Sequence, residues 1–320
     1  MEPSRRVRPA PLGNVNPGEQ PGIFGSWDNS DFSGTPFDRG DPANVFRNFT
    51  FVYVPLCTFD AHAGSAVVTY RSGERSLTIH HTGHTNLETF LARVAATWPA
   101  PRRLVVMGLS GGGFGSLINY DTIRLYWPHQ VAYLIDDSGP ALAGVPFPGG
   151  WSPQPDAWHR WNVQAALGKI CPECERDFSA IYSSLERWYP NDRKSLLSHL
   201  SDLRIEWAYG LIPVWGEADA SADALYASAL RRTASVLEAS RWEWFYAPEC
   251  GHTLVVPHDP DEACCAGDAG WPGCAGDARC AGGRCRPQPQ LSCGVSVQRF
   301  LQHQVDDDPS WSPVTPPPPP

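Results

Sequence analysis

The sequence lacks the charge and hydrophobicity patterns that mark two large classes of protein. Its 320 residues contain 25 Lys and Arg against 34 Asp and Glu, a net charge of -9, so the basic surface typical of nucleic-acid-binding proteins is missing. No uncharged apolar run approaches the length of about 18 residues that a membrane-spanning helix needs. Residues 1–21 are polar and lack the apolar segment of a secretory signal. We therefore expect no nucleic-acid partner and no membrane span.

Ten cysteines favour an oxidising compartment, although the chain has no recognisable secretory leader. An even number of cysteines with a dense cluster in residues 264–293 is typical of a disulfide-bonded protein. Either the protein is secreted and its start in this sequence is truncated or misassigned, or the thiols serve another purpose, such as binding a metal. The cysteines are Cys57, Cys171, Cys174, Cys250, Cys264, Cys265, Cys274, Cys280, Cys285 and Cys293.

The rest of the composition is that of a folded α/β protein. Hydrophobic residues make up 42% of the chain and charged residues 18%, which is enough for a large core. Short apolar runs predict strands at residues 104–107, 131–135, 196–200 and 242–246, and periodic segments predict helices at 114–126, 178–188 and 222–237. This alternation is typical of a mostly parallel sheet flanked by helices.

Composition divides the chain into three parts. Residues 1–35 are expected to be irregular, residues 36–305 to form the α/β domain with a cysteine-rich insertion at 264–293, and residues 306–320 to form a proline-rich flexible tail. Within the domain, the apolar run 49–57 predicts a buried strand. Asn86 is the predicted N-cap of a helix that ends near residue 98.

A glycine-rich turn is the most informative feature. Gly108-Leu-Ser110-Gly-Gly112 fits the G-x-S-x-G pattern between a predicted strand and a predicted helix. A serine in such a turn projects its hydroxyl above the sheet edge, and its neighbours must be small because larger ones would clash with the strand or the helix. The sequence indicates Ser110 as a nucleophile and the amide of Gly111 as an oxyanion donor. The alternative is a turn without chemistry, since the Gly-Lys-Ser/Thr end of a phosphate-binding loop is absent.

A serine nucleophile needs a base and an acid, which follow it in that kind of fold in the order acid, then histidine. His252 follows the last predicted strand after a short loop and is the predicted base. Two aspartates are candidates for the acid that orients the imidazole. Asp202 follows the strand-like run 196–200, and Asp219 follows Ile212-Pro-Val-Trp-Gly. Composition alone slightly favours Asp219, although either loop could serve.

Four ordered stretches resemble motifs of the pectinacetylesterase family, and the similarity extends over about residues 36–303. They are Phe37-Asp-Arg-Gly-Asp-Pro-Ala-Asn44, Val54-Pro-Leu-Cys-Thr-Phe-Asp-Ala-His62, His81-Thr-Gly83-His-Thr-Asn86, and Ser110-Gly-Gly-Gly-Phe-Gly with the later Ile135-Asp-Asp-Ser-Gly-Pro140. The family's spacing between acid and histidine fits Asp202 better than Asp219. The resemblance therefore selects Asp202 as the acid.

The resemblance implies an α/β-hydrolase core without a metal or an organic cofactor. Members are serine esterases that remove acyl groups, acetyl in the naming case, from carbohydrate or protein hydroxyls. We expect Ser110, Asp202 and His252 to be catalytic, the substrate to be an acylated carbohydrate or a small ester, and the protein to be a monomer. Cys171 and Cys174 have the spacing of zinc ligands, but in a hydrolase of this kind a disulfide is favoured.

Two departures from the family bear on activity. The family's Gly-Gly-Gly-x-Cys-Trp-like strand end, which supplies oxyanion amides, is absent before Phe37. Its absence predicts a large loss of activity unless another loop substitutes, and the alternative function is a catalytically impaired member that binds glycans. Phe59 replaces a family glycine near the predicted mouth of the site. Asp60 and His62 are either part of the site wall or a structural pair beneath it.

Overall fold

The computed structural model describes residues 35–148, 156–212, 219–255 and 295–315, together with the pairs 280–281, 284–285 and 291–292. Most of the predicted N-terminal segment and most of the predicted cysteine-rich insertion lie outside the described residues, as do residues 316–320 of the predicted tail.

A hairpin and a helix open the described fold. Strand β1 (Ala66–Ser72) pairs antiparallel with β2 (Arg75–His81), and the first helix begins at Gly83. The predicted N-cap at Asn86 is therefore wrong. The buried carboxylate of Asp60 accepts a hydrogen bond from the Gly83 amide at 2.8 Å and satisfies the helix start from 23 residues away. A cap supplied by a distant residue leaves no local signal in the sequence.

Four parallel strands form the central sheet. They are β3 (Arg103–Leu109), β4 (Val131–Asp137), β5 (Arg193–Ser201) and β6 (Glu243–Cys250), and they lie in that order across the sheet. Successive residues face opposite sides, so Leu134 packs into one core cluster and Ile135 into another. Burial on both faces explains why β3 and β4 contain continuous apolar runs in the sequence. The predicted α/β-hydrolase-like fold with a mostly parallel sheet is confirmed.

Helices cover both faces of this sheet. On one face α2 (Gly111–Tyr126), α5 (Ala180–Trp188) and α7 (Ala220–Ala239) contribute Phe114, Ile181 and Leu230 to the core cluster. On the other face α8 (Val297–Val305) contributes Phe300 and Leu301. No helix in the described part of the chain is long and apolar enough to cross a membrane. The helices are α1 (Gly83–Thr97), α2 (Gly111–Tyr126), α3 (Ala157–Arg160), α4 (Gln164–Leu167), α5 (Ala180–Trp188), α6 (Leu203–Ala208), α7 (Ala220–Ala239) and α8 (Val297–Val305). Shorter elements are a 3-10 turn (Pro172–Glu175) and the two-residue strands β7 (Cys280–Ala281), β8 (Arg284–Cys285), β9 (Leu291–Ser292) and β10 (Val295–Ser296).

The apolar run at residues 49–57 is not a strand, and that prediction is wrong. Val52 is 48% exposed and Tyr53 62% exposed, so the run is not buried either. Among the described strands none pairs with it, and Pro55 has no amide to donate to a ladder. β-branched and aromatic residues favour a strand only when a neighbouring strand accepts their hydrogen bonds.

Part of the predicted C-terminal tail belongs to the folded domain. The amide of Tyr246 donates to the carbonyl of Val314 at 2.8 Å, and the amide of Val314 donates to the carbonyl of Trp244 at 2.7 Å. The indole of Trp244 also donates to the hydroxyl of Thr315 at 2.6 Å. The chain up to residue 315 therefore covers the outer edge of β6, which would otherwise present unpaired backbone groups.

Candidate active site

The predicted catalytic residues all follow the carboxyl ends of strands in the central sheet. Ser110 comes directly after β3, Asp202 directly after β5, and His252 two residues after β6. Because the four strands are parallel, these ends lie along one edge of the sheet, where open α/β sheets bind their ligands. The fold thus collects residues that are far apart in the sequence.

Ser110 occupies a strained turn of the expected kind. Its φ is +56°, a left-handed conformation that costs free energy for any residue with a side chain. The amide of Ser110 donates to the carbonyl of Asp137 at 2.7 Å, which ties the turn to β4. A Cβ on Gly108 would lie 1.8 Å from the carbonyl oxygen of Gly112, so only glycine fits there. The strand, turn and helix predicted from the sequence are all present.

The start of α2 provides donors beside Ser110. Gly111 is the first residue of the helix, so its amide has no partner four residues earlier within the helix. The positive end of the helix dipole lies at the same point and favours negative charge. A Cβ on Gly111 would lie 2.9 Å from Cδ2 of Leu56, whereas a Cβ on Gly112 would meet no atom within 4 Å. The space beside the Cα of Gly111 is therefore filled by Leu56, and the space beside the Cα of Gly112 is empty.

His252 is paired with Asp202. Nδ1 of His252 lies 2.9 Å from one carboxylate oxygen of Asp202 and 3.0 Å from the other, and both side chains are buried. A carboxylate only accepts hydrogen bonds, so Nδ1 carries the proton and Nε2 has the lone pair that a base needs. Asp202 also accepts the amides of Arg204 and Ile205, which makes it the N-cap of α6.

Asp219, the other candidate acid, is placed elsewhere. It is the N-cap of α7, where its carboxylate accepts the amide of Ser221 at 2.8 Å. The side chain is exposed. Hydrogen bonds from Ser221 hold the pKa of Asp219 below its usual value, as expected for a capping carboxylate. The geometry brings Asp202 to the histidine and leaves Asp219 in a capping role.

Asp137, the last residue of β4, and Ser138 connect the turn at Ser110 (the serine turn) to residues 251–255 after β6, which include His252 and form the histidine loop. The carboxylate of Asp137 accepts the amides of Leu254 at 2.9 Å and Val255 at 2.7 Å. The hydroxyl of Ser138 donates to the carbonyl of His252. The carbonyl of Asp137 also accepts the Ser110 amide. The main chains of Ser110 and His252 are therefore hydrogen-bonded to the same dipeptide. This dipeptide lies within the stretch 135–140 that resembles the family, but sequence reasoning assigned it no role; two aspartates at the end of a buried strand were the available signal.

A second buried carboxyl group lies behind Asp202. The amide of Asp202 donates to Oε1 of Glu206 at 3.1 Å. Burial, followed by the hydrogen bond to Asp223 and its negative charge, raises the pKa of Glu206 to about 9. Glu206 is therefore neutral at neutral pH and adds no second charge beside Asp202. The hydroxyl of Ser201 donates to Asp223 at 2.7 Å and holds this pair in place.

Asp60 and His62 serve the fold. Asp60 is fully buried and caps α1, as described above. The ring of His62 packs against α2, because a Cβ on Gly115 would lie 2.8 Å from its Cδ2, and burial lowers the pKa of the imidazole. Phe59, Ala61 and His62 all have positive φ, so the segment is held in this shape by its contacts. These contacts support a structural role for Asp60 and His62, which was the alternative to a place in the wall of the site.

The pair with zinc-ligand spacing forms a disulfide. Cys171 and Cys174 are bonded to each other and buried, as expected. Their thiolates are therefore not available to a metal. Among the residues that the structure describes, no group of three His, Cys, Asp or Glu side chains is arranged to hold a metal ion.

Comparison with known proteins gives a structural match and no sequence match. No protein-family model matches the chain, and no curated protein matches it by sequence. Among solved structures, the chain is similar to the Wnt deacylase Notum from Drosophila, with a TM-score of 0.54 and 17% sequence identity. The similarity covers 87% of this chain and 76% of the Notum chain. The chain therefore has a Notum-like fold.

Proposed function

We propose that this protein is a serine carboxylesterase that removes acyl groups, acetyl in the first instance, from a carbohydrate or a related ester. The observation that carries the proposal is the buried hydrogen bond between Asp202 and Nδ1 of His252, on the same sheet edge as the strained turn at Ser110. The motifs similar to pectinacetylesterases and the Notum-like fold support the same reading. The disulfide between Cys171 and Cys174 agrees with secretion.

The proposed reaction is acyl transfer in two steps. The hydroxyl oxygen of Ser110 attacks the ester carbonyl while Nε2 of His252 takes its proton. Asp202 keeps the other proton on Nδ1 and stabilises the imidazolium that forms. His252 then gives its proton to the departing alcohol, which leaves an acyl group on Ser110. A water molecule, activated by the same histidine, releases the carboxylic acid and restores the hydroxyl.

The negative charge that develops on the carbonyl oxygen in this reaction must be stabilised by hydrogen-bond donors. The amide of Gly111 is the proposed donor, since it begins α2 directly after the nucleophile. Each donor of this type lowers the barrier by roughly 3–4 kcal/mol in known hydrolases. Activity with a single such amide is expected to be low unless another loop supplies a second donor.

Hydrolysis of p-nitrophenyl acetate tests the proposal. Wild type should release p-nitrophenol above the buffer rate, and Ser110→Ala should lose that activity. Ser116→Ala is the matched control, because this serine lies on the same helix with its hydroxyl bonded to the Gly113 carbonyl. Ser116→Ala should keep the wild-type rate. Equal rates for wild type and Ser110→Ala would refute the esterase and favour a glycan-binding relative without turnover.

A chain-length series then tests the acyl group. The acetyl, butyryl and octanoyl esters of p-nitrophenol share one leaving group, so differences in kcat/KM report the fit of the acyl chain. The proposal expects the acetyl ester to be the best substrate. A preference for the octanoyl ester would replace acetyl by a longer acyl group and leave the mechanism unchanged.

A further inference from the structure

Two neighbouring aspartates on β4 have different surroundings. Asp136 and Asp137 are both fully buried, and strand geometry points their side chains to opposite faces of the sheet. Asp136 accepts only the amide of Gly139, at 2.9 Å, among the residues described. Asp137 accepts the amides of Leu254 and Val255. The carboxylate of Asp137 is thus hydrogen-bonded to the histidine loop, and the carboxylate of Asp136 is not.

Asp137 contacts both halves of the proposed site. Its carbonyl accepts the amide of Ser110 at 2.7 Å, and its carboxylate accepts the amides of Leu254 and Val255 in the histidine loop. We propose that Asp137 is a positioning residue, which sets the spacing between Ser110 and His252 and whose negative charge favours the imidazolium formed during acyl transfer. This inference rests on the proposed esterase function.

The hydrogen bonds explain how a charge persists in this position. Burial raises the pKa of Asp137 to about 6, while the amides of Val255 and Leu254 and the nearby His252 act to lower it. The carboxylate is therefore charged at neutral pH and accepts strong hydrogen bonds from both amides. Below about pH 6 the carboxylate takes up a proton, and its hydrogen bonds from the Leu254 and Val255 amides weaken.

In the part of the chain that the structure describes, three other titratable groups lie near Asp137 or the imidazole that faces it, besides Asp202. His252 faces it from the loop after β6, with Asp202 behind the imidazole. His199 on β5 lies under the same loop, since a Cβ on Gly251 would lie 2.5 Å from its Nε2. Asp136 is the adjacent residue on the opposite face, where burial raises its pKa well above the usual value.

The test compares Asp137→Asn with Asp136→Asn in p-nitrophenyl acetate hydrolysis across pH. The two changes are chemically identical and one residue apart. Both amides donate to one oxygen of Asp137, and the Leu254 amide also lies 3.0 Å from the other oxygen. The NH2 group of an asparagine at 137 would therefore face the Leu254 amide, so kcat should fall about 10- to 100-fold with little change in KM. Loss of the charge should also move the acidic limb of the kcat/KM profile to lower pH. Asp136→Asn should retain both the rate and the profile of wild type.

A purely structural role for Asp137 would lower the rate and leave the acidic limb in place, and that result would overturn the charge part of the proposal. Wild-type kcat and an unshifted limb in Asp137→Asn would overturn all of it. An inactive wild type would instead refute the esterase function on which the inference rests.

Hydrogen exchange on the wild type keeps the positioning claim testable if Asp137→Asn fails to fold or the wild type is inactive. The protection factors of the Leu254 and Val255 amides should fall below about pH 6, while the amide of Leu134 on β4 keeps its protection. Protection that is independent of pH at Leu254 and Val255 would contradict the role of the Asp137 carboxylate.

Discussion

The imidazole of His252 meets the carboxylate of Asp202 at 2.9 Å, although 50 residues separate them in the sequence. The contact exists because β5 and β6 are neighbouring parallel strands and both residues follow the ends of these strands. Asp202 is also the N-cap of α6, so its backbone is held by the helix start. One aspartate therefore serves the fold and orients the proposed base.

Changing Asp202 to Asn separates these two roles. Asparagine is as good an N-cap as aspartate, so the Tm should change little. Its amide group no longer selects the tautomer with the proton on Nδ1, so kcat should fall about 10³- to 10⁴-fold. The measurement is kcat for p-nitrophenyl acetate beside thermal unfolding. Asp219→Asn, at the N-cap of α7, is the matched control and should leave kcat at the wild-type level. The reverse pattern would make Asp219 the acid.

The serine turn predicts opposite effects for two of its glycines. A Cβ on Gly108 would lie 1.8 Å from the carbonyl oxygen of Gly112 and 2.3 Å from its carbonyl carbon, and these are backbone atoms that cannot move aside cheaply. Gly108→Ala should reduce the free energy of unfolding by at least about 3 kcal/mol. Gly112→Ala adds a methyl where no atom lies within 4 Å, inside a helix, and should raise it by about 0.5–1 kcal/mol. Urea unfolding of both variants checks this. Equal stability of the two would show that the turn is not packed as described.

Glu206 makes stability depend on pH. Its pKa of about 9 in the folded protein lies above the usual value of 4.5, so between these pH values the unfolded chain has lost a proton that the folded chain keeps. The contribution of Glu206 to stability is thus present below about pH 4.5 and falls as pH rises, by up to about 1.4 kcal/mol per pH unit.

Glu206→Gln should remove this loss. Glutamine is neutral at every pH, its oxygen accepts the Asp202 amide, and its amide group donates to Asp223. The Tm of the variant should match wild type near pH 5 and rise progressively above it toward about pH 9. Glu238→Gln, at an exposed position on α7, controls for general loss of negative charge. A Tm difference that does not grow with pH would mean that Glu206 is already charged in the folded protein.

The features predicted correctly from the sequence are those that depend on neighbouring residues. The turn around Ser110 needs glycines at set positions, and the strands that flank it are apolar because both of their faces are buried. The same logic gave the order of strands and helices along the chain.

The features that sequence reasoning missed or left open depend on distant residues. Asp202 and Asp219 both begin helices, so their local chemistry is the same, and strand order decides which of them meets His252. The run 49–57 has strand-forming residues without a described partner strand. Asp60 caps α1 from 23 residues away, and Asp137 acts on a loop more than a hundred residues later in the chain.

The most direct test of the account is a search for the acyl-enzyme on Ser110. Wild-type protein mixed with p-nitrophenyl acetate, quenched in acid within the first turnover and digested, should yield a peptide containing residue 110 that carries one acetyl group. Ser110→Ala treated identically should carry none, and His252→Ala should acquire it far more slowly than wild type. An acetyl group found only on other residues, or on none while the ester is hydrolysed, would contradict the role of Ser110 as the nucleophile.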